Sequence, residues 1–372
     1  MDDFLRPSVR ISDSGEIAAA LPSLLGFHPY ESVVLVSLTG PSGHRVGLTV
    51  RADLPPPSAA PDLARTLARS VATDGPVGVV VAVVSETPDE PMPDLFPPAD
   101  AGAVVDGLDG EPVTGLPHRA VVHDLVVALA ERDIPVREAL LVRAGRWWSY
   151  DCPHPCCAPG AGTPLPAGVS ELEAASVASG VVVEPDRAAL AARIARIDGP
   201  AMAAMDAVTW RVGDRQARAV PADPESRAER SWTTVLRAVR RCRPGGAAER
   251  LGDGEVARVL WALADVRVRD RALGLALGED AAAAETLWTE CTRRAPSPLD
   301  APPATLLAVS VWLRGDGAMA NVALERALDS RPGYTLAQLL AQGLAACMPP
   351  ADLRRMIAAA AVEDLGDTRA AG

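Results

Sequence analysis

Ser32-Val33-Val34-Leu35-Val36-Ser37-Leu38 is the stretch that decides the fold of this chain. It is β-branched and almost wholly apolar, with no alternation of polar and apolar residues. That is the pattern of a strand covered on both faces. Upstream, Asp13 and Glu16 form a helix-start pair, and the helix they open is predicted to reach about Leu25, where Gly26 stops it. Pro22 inside that helix predicts a kink or an early end. Downstream, the turn Gly40-Pro41-Ser42-Gly43 leads to a partner strand, Val46 to Ala52, giving a hairpin.

The same alternation continues. Pro56 and Pro57 break the chain, and Leu63, Ala64, Leu67, Ala68 and Val71 then recur at helical spacing. Val77 to Val84 reads as a second buried strand. Residues 86–117 carry prolines 88, 91, 93, 97, 98, 112 and 117 and read as an irregular excursion, long enough to be functional or mobile. Val121, Val122, Leu125, Val126 and Leu129 mark another helix. Glu138 to Val142 and Arg146 to Tyr150 form a second hairpin around Arg143-Ala144-Gly145. These elements predict an α/β domain, a mixed sheet with helices, over residues 1–166, with a cysteine-rich turn at its end.

Beyond it the pattern is helical. Ser170 and Glu173 form a capping pair, and Pro185 is placed to start a helix carrying Leu190, Ile194 and Ile197. Pro221 to Pro224 reads as a linker, so residues 167–224 are connecting helices and linker. Residues 225–372 form an all-α helical domain, with Val256, Val259, Leu260 and Leu263 on one helix. No strand signal follows about residue 183. Residues 301–334 resemble a tetratricopeptide repeat. Leu307 and Ala308 match its first helix, Ala320 and Leu324 its small-then-large pair, and Pro332 its closing proline. Ala304 and Val311 stand where that repeat has Trp and Tyr. The preceding unit, 267–300, is degenerate, with Thr286 and Glu290 at the packing positions.

Composition narrows function. The chain has 372 residues and a net charge of −12, and all 36 basic residues are arginine. The absence of lysine removes the phosphate-loop, Schiff-base and kinase lysines together. Residues 1–150 hold 20 acids and 11 arginines, against 28 and 25 in the remainder. An acidic surface repels phosphate backbones, which disfavours nucleic acid. Arg227, Arg230, Arg237, Arg240, Arg241, Arg243 and Arg250 are a local exception, interleaved with Glu225, Glu229 and Glu249. They read as a solvated helix face or as a patch for phosphate or an acidic partner. No apolar run is long enough for a membrane span, and the acidic start Met1-Asp2-Asp3-Phe4-Leu5 has no signal segment, so a cytoplasmic, reducing location is expected.

Chemistry concentrates in Trp147-Trp148-Ser149-Tyr150-Asp151-Cys152-Pro153-His154-Pro155-Cys156-Cys157. Cys152, His154, Cys156 and Cys157 supply four zinc-type donors within six residues. Neighbouring cysteines are not zinc-finger spacing, and no second knuckle follows. Three readings stay open: a metal site, a redox thiol pair, or small residues in a proline-braced turn. Cys291 and Cys347 read as core residues. One of Trp147 and Trp148 should face the core and the other a contact surface. Trp210, Trp232, Trp261, Trp288 and Trp312 read as core or helix-interface residues. His28, His44, His118 and His123 have no partner at catalytic spacing and read as structural or surface residues. Asp13, Glu31 and Asp53 approach the strand ends, where α/β sheets bind ligands. No GxSxG elbow and no dinucleotide fingerprint is present.

Several segments together resemble the actinobacterial family known as domain of unknown function 4192. They are Ile11-Ser12-Asp13 through Leu21-Pro22, Leu25-Gly26-Phe27, Pro29, and Ser32 to Val36; then Trp147 to Tyr150 with Cys152, Cys156 and Cys157; then Leu287-Trp288-Thr289 and Trp312 to Gly317. Ala158 stands where that resemblance leads one to expect a proline. The resemblance implies an actinobacterial cytoplasmic protein and no particular activity. The residues themselves lean away from an enzyme and toward a binding or scaffold protein that engages a protein partner through its helical half. A thiol- or metal-dependent enzyme or redox sensor at the Cys152–Cys157 turn, with zinc as cofactor, is the first alternative. A small-ligand sensor at the sheet edge is the second.

Overall fold

The computed structural model describes residues 14–40, 43, 45–91, 114–168, 182–218, 223–243 and 251–370. Asp13, the Ser170–Glu173 pair, most of the 86–117 excursion, Pro221 and Arg250 lie outside them. The chain forms two compact units, Met1–Asp186 and Arg187–Gly372.

The first unit is the mixed α/β layer domain. Its elements are α1 (Ser14–Leu25), β1 (Ser32–Thr39), β2 (Arg45–Asp53), α2 (Ala60–Ala72), β3 (Gly78–Val84), β4 (Glu90–Pro91), β5 (Thr114–Gly115), α3 (Arg119–Ala130), β6 (Val136–Arg143), β7 (Arg146–Ser149) and β8 (Thr163–Pro164). Six strands form one sheet in the order β2-β1-β3-β6-β7-β8, and β4 pairs with β5. β1 runs antiparallel to both β2 and β3, and β3–β6 is the parallel pair, as a strand–helix–strand crossover through α3 requires.

The apolar run that decides the fold is buried from Ser32 to Leu38. One face of the sheet carries Val33, Leu35, Val79, Val81, Val83, Ala139 and Leu141 against Leu67 and Val71 of α2 and Leu125 and Leu129 of α3. On the other face Val34, Val36, Val80, Ala82 and Leu140 are buried too, and α1 packs on β6 and β2. Each of these valine and leucine side chains contributes roughly 1.5–3 kcal/mol through burial. α1 runs on to Leu25 with Pro22 inside it, so no early end occurs, and Gly26 stops it at φ 75°. The β6–β7 hairpin turns on Ala144 (φ 48°) and Gly145 (φ 71°), both left-handed, which suits a two-residue turn.

The second unit is helical among its described residues: α4 (Arg187–Ala192), α5 (Gly199–Arg218), α6 (Pro224–Arg241), α7 (Asp253–Leu263), α8 (Val266–Leu273), α9 (Ala281–Arg294), α10 (Ala301–Leu313), α11 (Gly317–Ser330), α12 (Thr335–Ala345) and α13 (Pro350–Ala370). The helix expected from Pro185 is only α4, which stops before Ile194. The chain turns there, and the Ile197 N–H bonds to Arg293 O of α9 instead. Pro224 opens α6 rather than a linker, with Asp223 capping the N–H groups of Glu225 and Ser226. α10 and α11 pack together, with Leu307, Ala308, Ala320 and Leu324 all buried. α10 is buried at every position, so it presents no open face. Asp300, 1% exposed at its start, meets Arg196, Arg326 and the Ser330 hydroxyl.

Two tryptophans depart from expectation. Trp210 is 68% exposed on α5 rather than core, because α5 turns Met205, Thr209 and Val212 inward instead. Trp147 is half-buried rather than a free contact surface, since Gly15 of α1 leaves room for its indole. Trp148, Trp232, Trp288 and Trp312 are buried. Cys291 is buried as expected, whereas Cys347 is half-buried in a left-handed turn after α12.

Candidate thiol centre and the strand-end residues

The hairpin β6–β7 delivers the thiol turn. Trp148 leaves β7 on the α2/α3 face, and its indole N–H donates to Ala158 O at 3.3 Å, tying the far side of the turn to the sheet. The Arg143 guanidinium stacks 4.9 Å from the Trp148 ring and pairs with Asp89 at 2.9 Å. Gly162 returns the chain at φ 72°, a position where a Cβ would collide with the same ring. Pro155–Cys157 is a single 3-10 turn closed by the Cys157 N–H on His154 O at 3.0 Å.

That turn gathers three sulfurs. Cys152, Cys156 and Cys157 place their sulfurs within 4.8 Å of one another, with Cys152–Cys156 at 4.0 Å and Cys156–Cys157 at 3.9 Å. They differ in environment. Cys157 is buried and accepts the Ser149 N–H at 3.3 Å, and burial pushes its thiol up to about 11. Cys152 is held below the ordinary thiol value, chiefly by the His154 backbone N–H donating to its sulfur. Cys156 is exposed. His154, counted with them as a donor from sequence, is exposed at the extended position before the 3-10 turn and is not part of the three-sulfur group.

The carboxylates expected at strand ends divide. Glu31 stands beside Ser85 just beyond β3, and its Oε2 accepts the Ser85 hydroxyl at 2.8 Å. Asp53 ends β2 exposed and pairs with Arg51. His118, read from sequence as structural or surface, reaches the same Ser85 hydroxyl at 3.0 Å. Ser85 carries no signal in the sequence, because its partners are 54 and 33 residues away. On α6 the arginine face is exposed; Arg241 pairs with Glu255, and Arg243, just beyond the helix, pairs with Asp280.

Fold and site define an α/β unit with a cysteine turn, followed in the chain by an all-helical unit. The chain belongs to the family described as Domain of unknown function (DUF4192), which matches residues 15–351. No curated protein and no solved structure matches it. No helix among the described residues is long and apolar enough to cross a membrane.

Proposed function

We propose that the chain binds a transition-metal ion, zinc in the first instance, through Cys152, Cys156 and Cys157. The observation that carries this reading is the convergence of the three sulfurs within 4.8 Å. Zn–S bonds of about 2.3 Å in a tetrahedron set sulfur–sulfur edges near 3.8 Å, close to the spacings here. Burial does not account for the cluster, because Cys156 is exposed and still joins it. Three protein donors leave one coordination position open to water or an incoming ligand, which is the habit of catalytic rather than closed structural zinc. The lowered Cys152 thiol is the natural first ligand, and Cys157 must lose its proton to the metal. Free thiols at this position accord with a reducing, cytoplasmic location. The test is elemental analysis of the full chain purified under reducing conditions, with thiols counted before and after denaturation. Roughly one zinc per chain, lost in Cys156→Ser, is expected. Metal-free protein whose affinity for added zinc is the same in Cys156→Ser overturns the reading.

A second reading, a protein partner for the helical unit, is favoured by Trp210, whose large ring is exposed on α5. The tetratricopeptide-like register of 301–334 then supplies a rigid frame, since α10 is enclosed. Recovery of the same native partner by wild type but not by Trp210→Ala supports it. Equal recovery by both refutes it.

A further inference from the structure

Glu31, Ser85 and His118 come from three separate stretches and meet at one hydroxyl. Ser85 follows β3 at the carboxyl end of the parallel β3–β6 pair, where its N–H is held by Val142 O at 3.2 Å. Ser85 Oγ lies 2.8 Å from Glu31 Oε2, 3.0 Å from His118 Nε2 and 3.0 Å from Thr87 Oγ1, and it accepts the Thr87 N–H at 3.1 Å. A hydroxyl has one proton and two lone pairs. Four polar neighbours exceed what satisfying it structurally requires. The hydroxyl has one proton to give, and a carboxylate placed to accept it is a base that can activate a serine.

The backbone supports a special role. Glu31 and His118 sit at φ 41° and 61°, and they are two of five described non-glycine residues with positive φ. Both left-handed residues aim at Ser85, and strain of this kind concentrates at functional sites. The Glu86 N–H fixes the other carboxylate oxygen of Glu31 at 2.9 Å. Ser85 itself is 1% exposed, while Thr87 and His118 beside it are half-buried. α3 starts directly after His118 with no side-chain cap, so its positive end adjoins the cluster.

We propose that Ser85 is a nucleophile toward carboxylic esters, with Glu31 as its proton acceptor and His118 as a positioning residue. Ser85 Oγ bonds to the ester carbonyl carbon while its proton passes to Glu31. The negative charge that develops on the carbonyl oxygen suits the first-turn N–H groups of α3. The bond to the alcohol oxygen then breaks, and Glu31 returns the proton to the leaving alkoxide. Water adds to the acyl-serine with Glu31 as base, which releases the acid and restores the hydroxyl. Only ester and water are consumed.

The test uses the full chain with its thiols blocked by N-ethylmaleimide, so the thiol centre contributes nothing to the readout. The probes are a fluorophosphonate, with its adduct mapped by peptide mass spectrometry, and 4-nitrophenyl acetate. A single adduct on Ser85 is expected. Glu31→Gln should slow labelling and ester hydrolysis about 100-fold or more and flatten their pH profiles, at an unchanged melting temperature. His118→Gln should slow both less. Wild-type protein that is folded yet unlabelled at Ser85, labelling spread evenly over other hydroxyls, or wild-type rates in Glu31→Gln would each overturn the proposal. The wild-type map decides even where Ser85→Ala does not fold.

Discussion

In the metal-free chain at pH 8, the sulfurs of one turn should differ in reactivity by an order of magnitude or more. Burial holds Cys157 at about 11, three units above that pH, so about one thiol in a thousand is ionised. A thiol at the ordinary 9.0 is about one-tenth ionised, which makes Cys157 roughly 100-fold poorer in thiolate. The rarer thiolate is intrinsically more nucleophilic, and two pKa units return roughly tenfold. The net effect of ionisation is about tenfold, and the closed surroundings of Cys157 add to it. Cys152, lowered by the His154 N–H, moves the other way and is the fast thiol. Pulsed alkylation with iodoacetamide measures this. Cleavage after Arg146 and Arg187 releases all three cysteines in one peptide, and fragmentation assigns the label. Folded protein that alkylates Cys157 as fast as Cys152 refutes the reasoning. The linkage has a definite sign. A raised thiol in the folded state adds stability that is whole below the unfolded value and is lost as pH climbs from about 9 to about 11. The urea midpoint of the α/β unit should therefore fall across that window.

Other perturbations follow from the packing. Gly162→Ala combines a left-handed φ with a Cβ driven into the Trp148 ring, so about 2–4 kcal/mol should be lost in urea unfolding, with faster Cys156 alkylation as the turn loosens. Trp288→Ala should cost about 3–5 kcal/mol by thermal denaturation, because the ring is 1% exposed, whereas Trp210→Ala should stay within about 0.5 kcal/mol. Asp300→Ala strips the shared carboxylate from Arg196 and Arg326 and should cost about 3 kcal/mol in the helical unit, with the loss reduced in an Arg326→Met background.

What the sequence discloses here is local. The continuous apolar runs at Ser32–Leu38 and Val77–Val84 announce buried strands, and Ala144-Gly145 announces a tight turn, because each pattern is enforced within a few residues. The failures are places where tertiary partners decide. Ile197 has the spacing to extend α4, but its N–H is claimed by Arg293 O, and the helix ends. Trp210 has the hydrophobicity of a core residue, but the inward face of α5 is set by Met205, Thr209 and Val212. His154 has a ligand's chemistry, but it lies between two prolines at an extended position that holds it out of the sulfur group.

Ser85 shows where the missing information resides. Nothing in Ser85-Glu86-Thr87 marks it, and no spacing links it to Glu31 or His118. Yet both strands were legible, and only their adjacency was not. Once β1 lies antiparallel beside β3 with Ser32 opposite Val84, the next residues outward are Glu31 and Ser85, and they must meet at the sheet's end. The parallel crossover then carries α3 back across the same end, which brings His118 to it. The cluster is therefore a consequence of strand order, a long-range quantity. Changing the register of β1 on β3 by two residues would carry Glu31 away from Ser85 and dissolve the cluster.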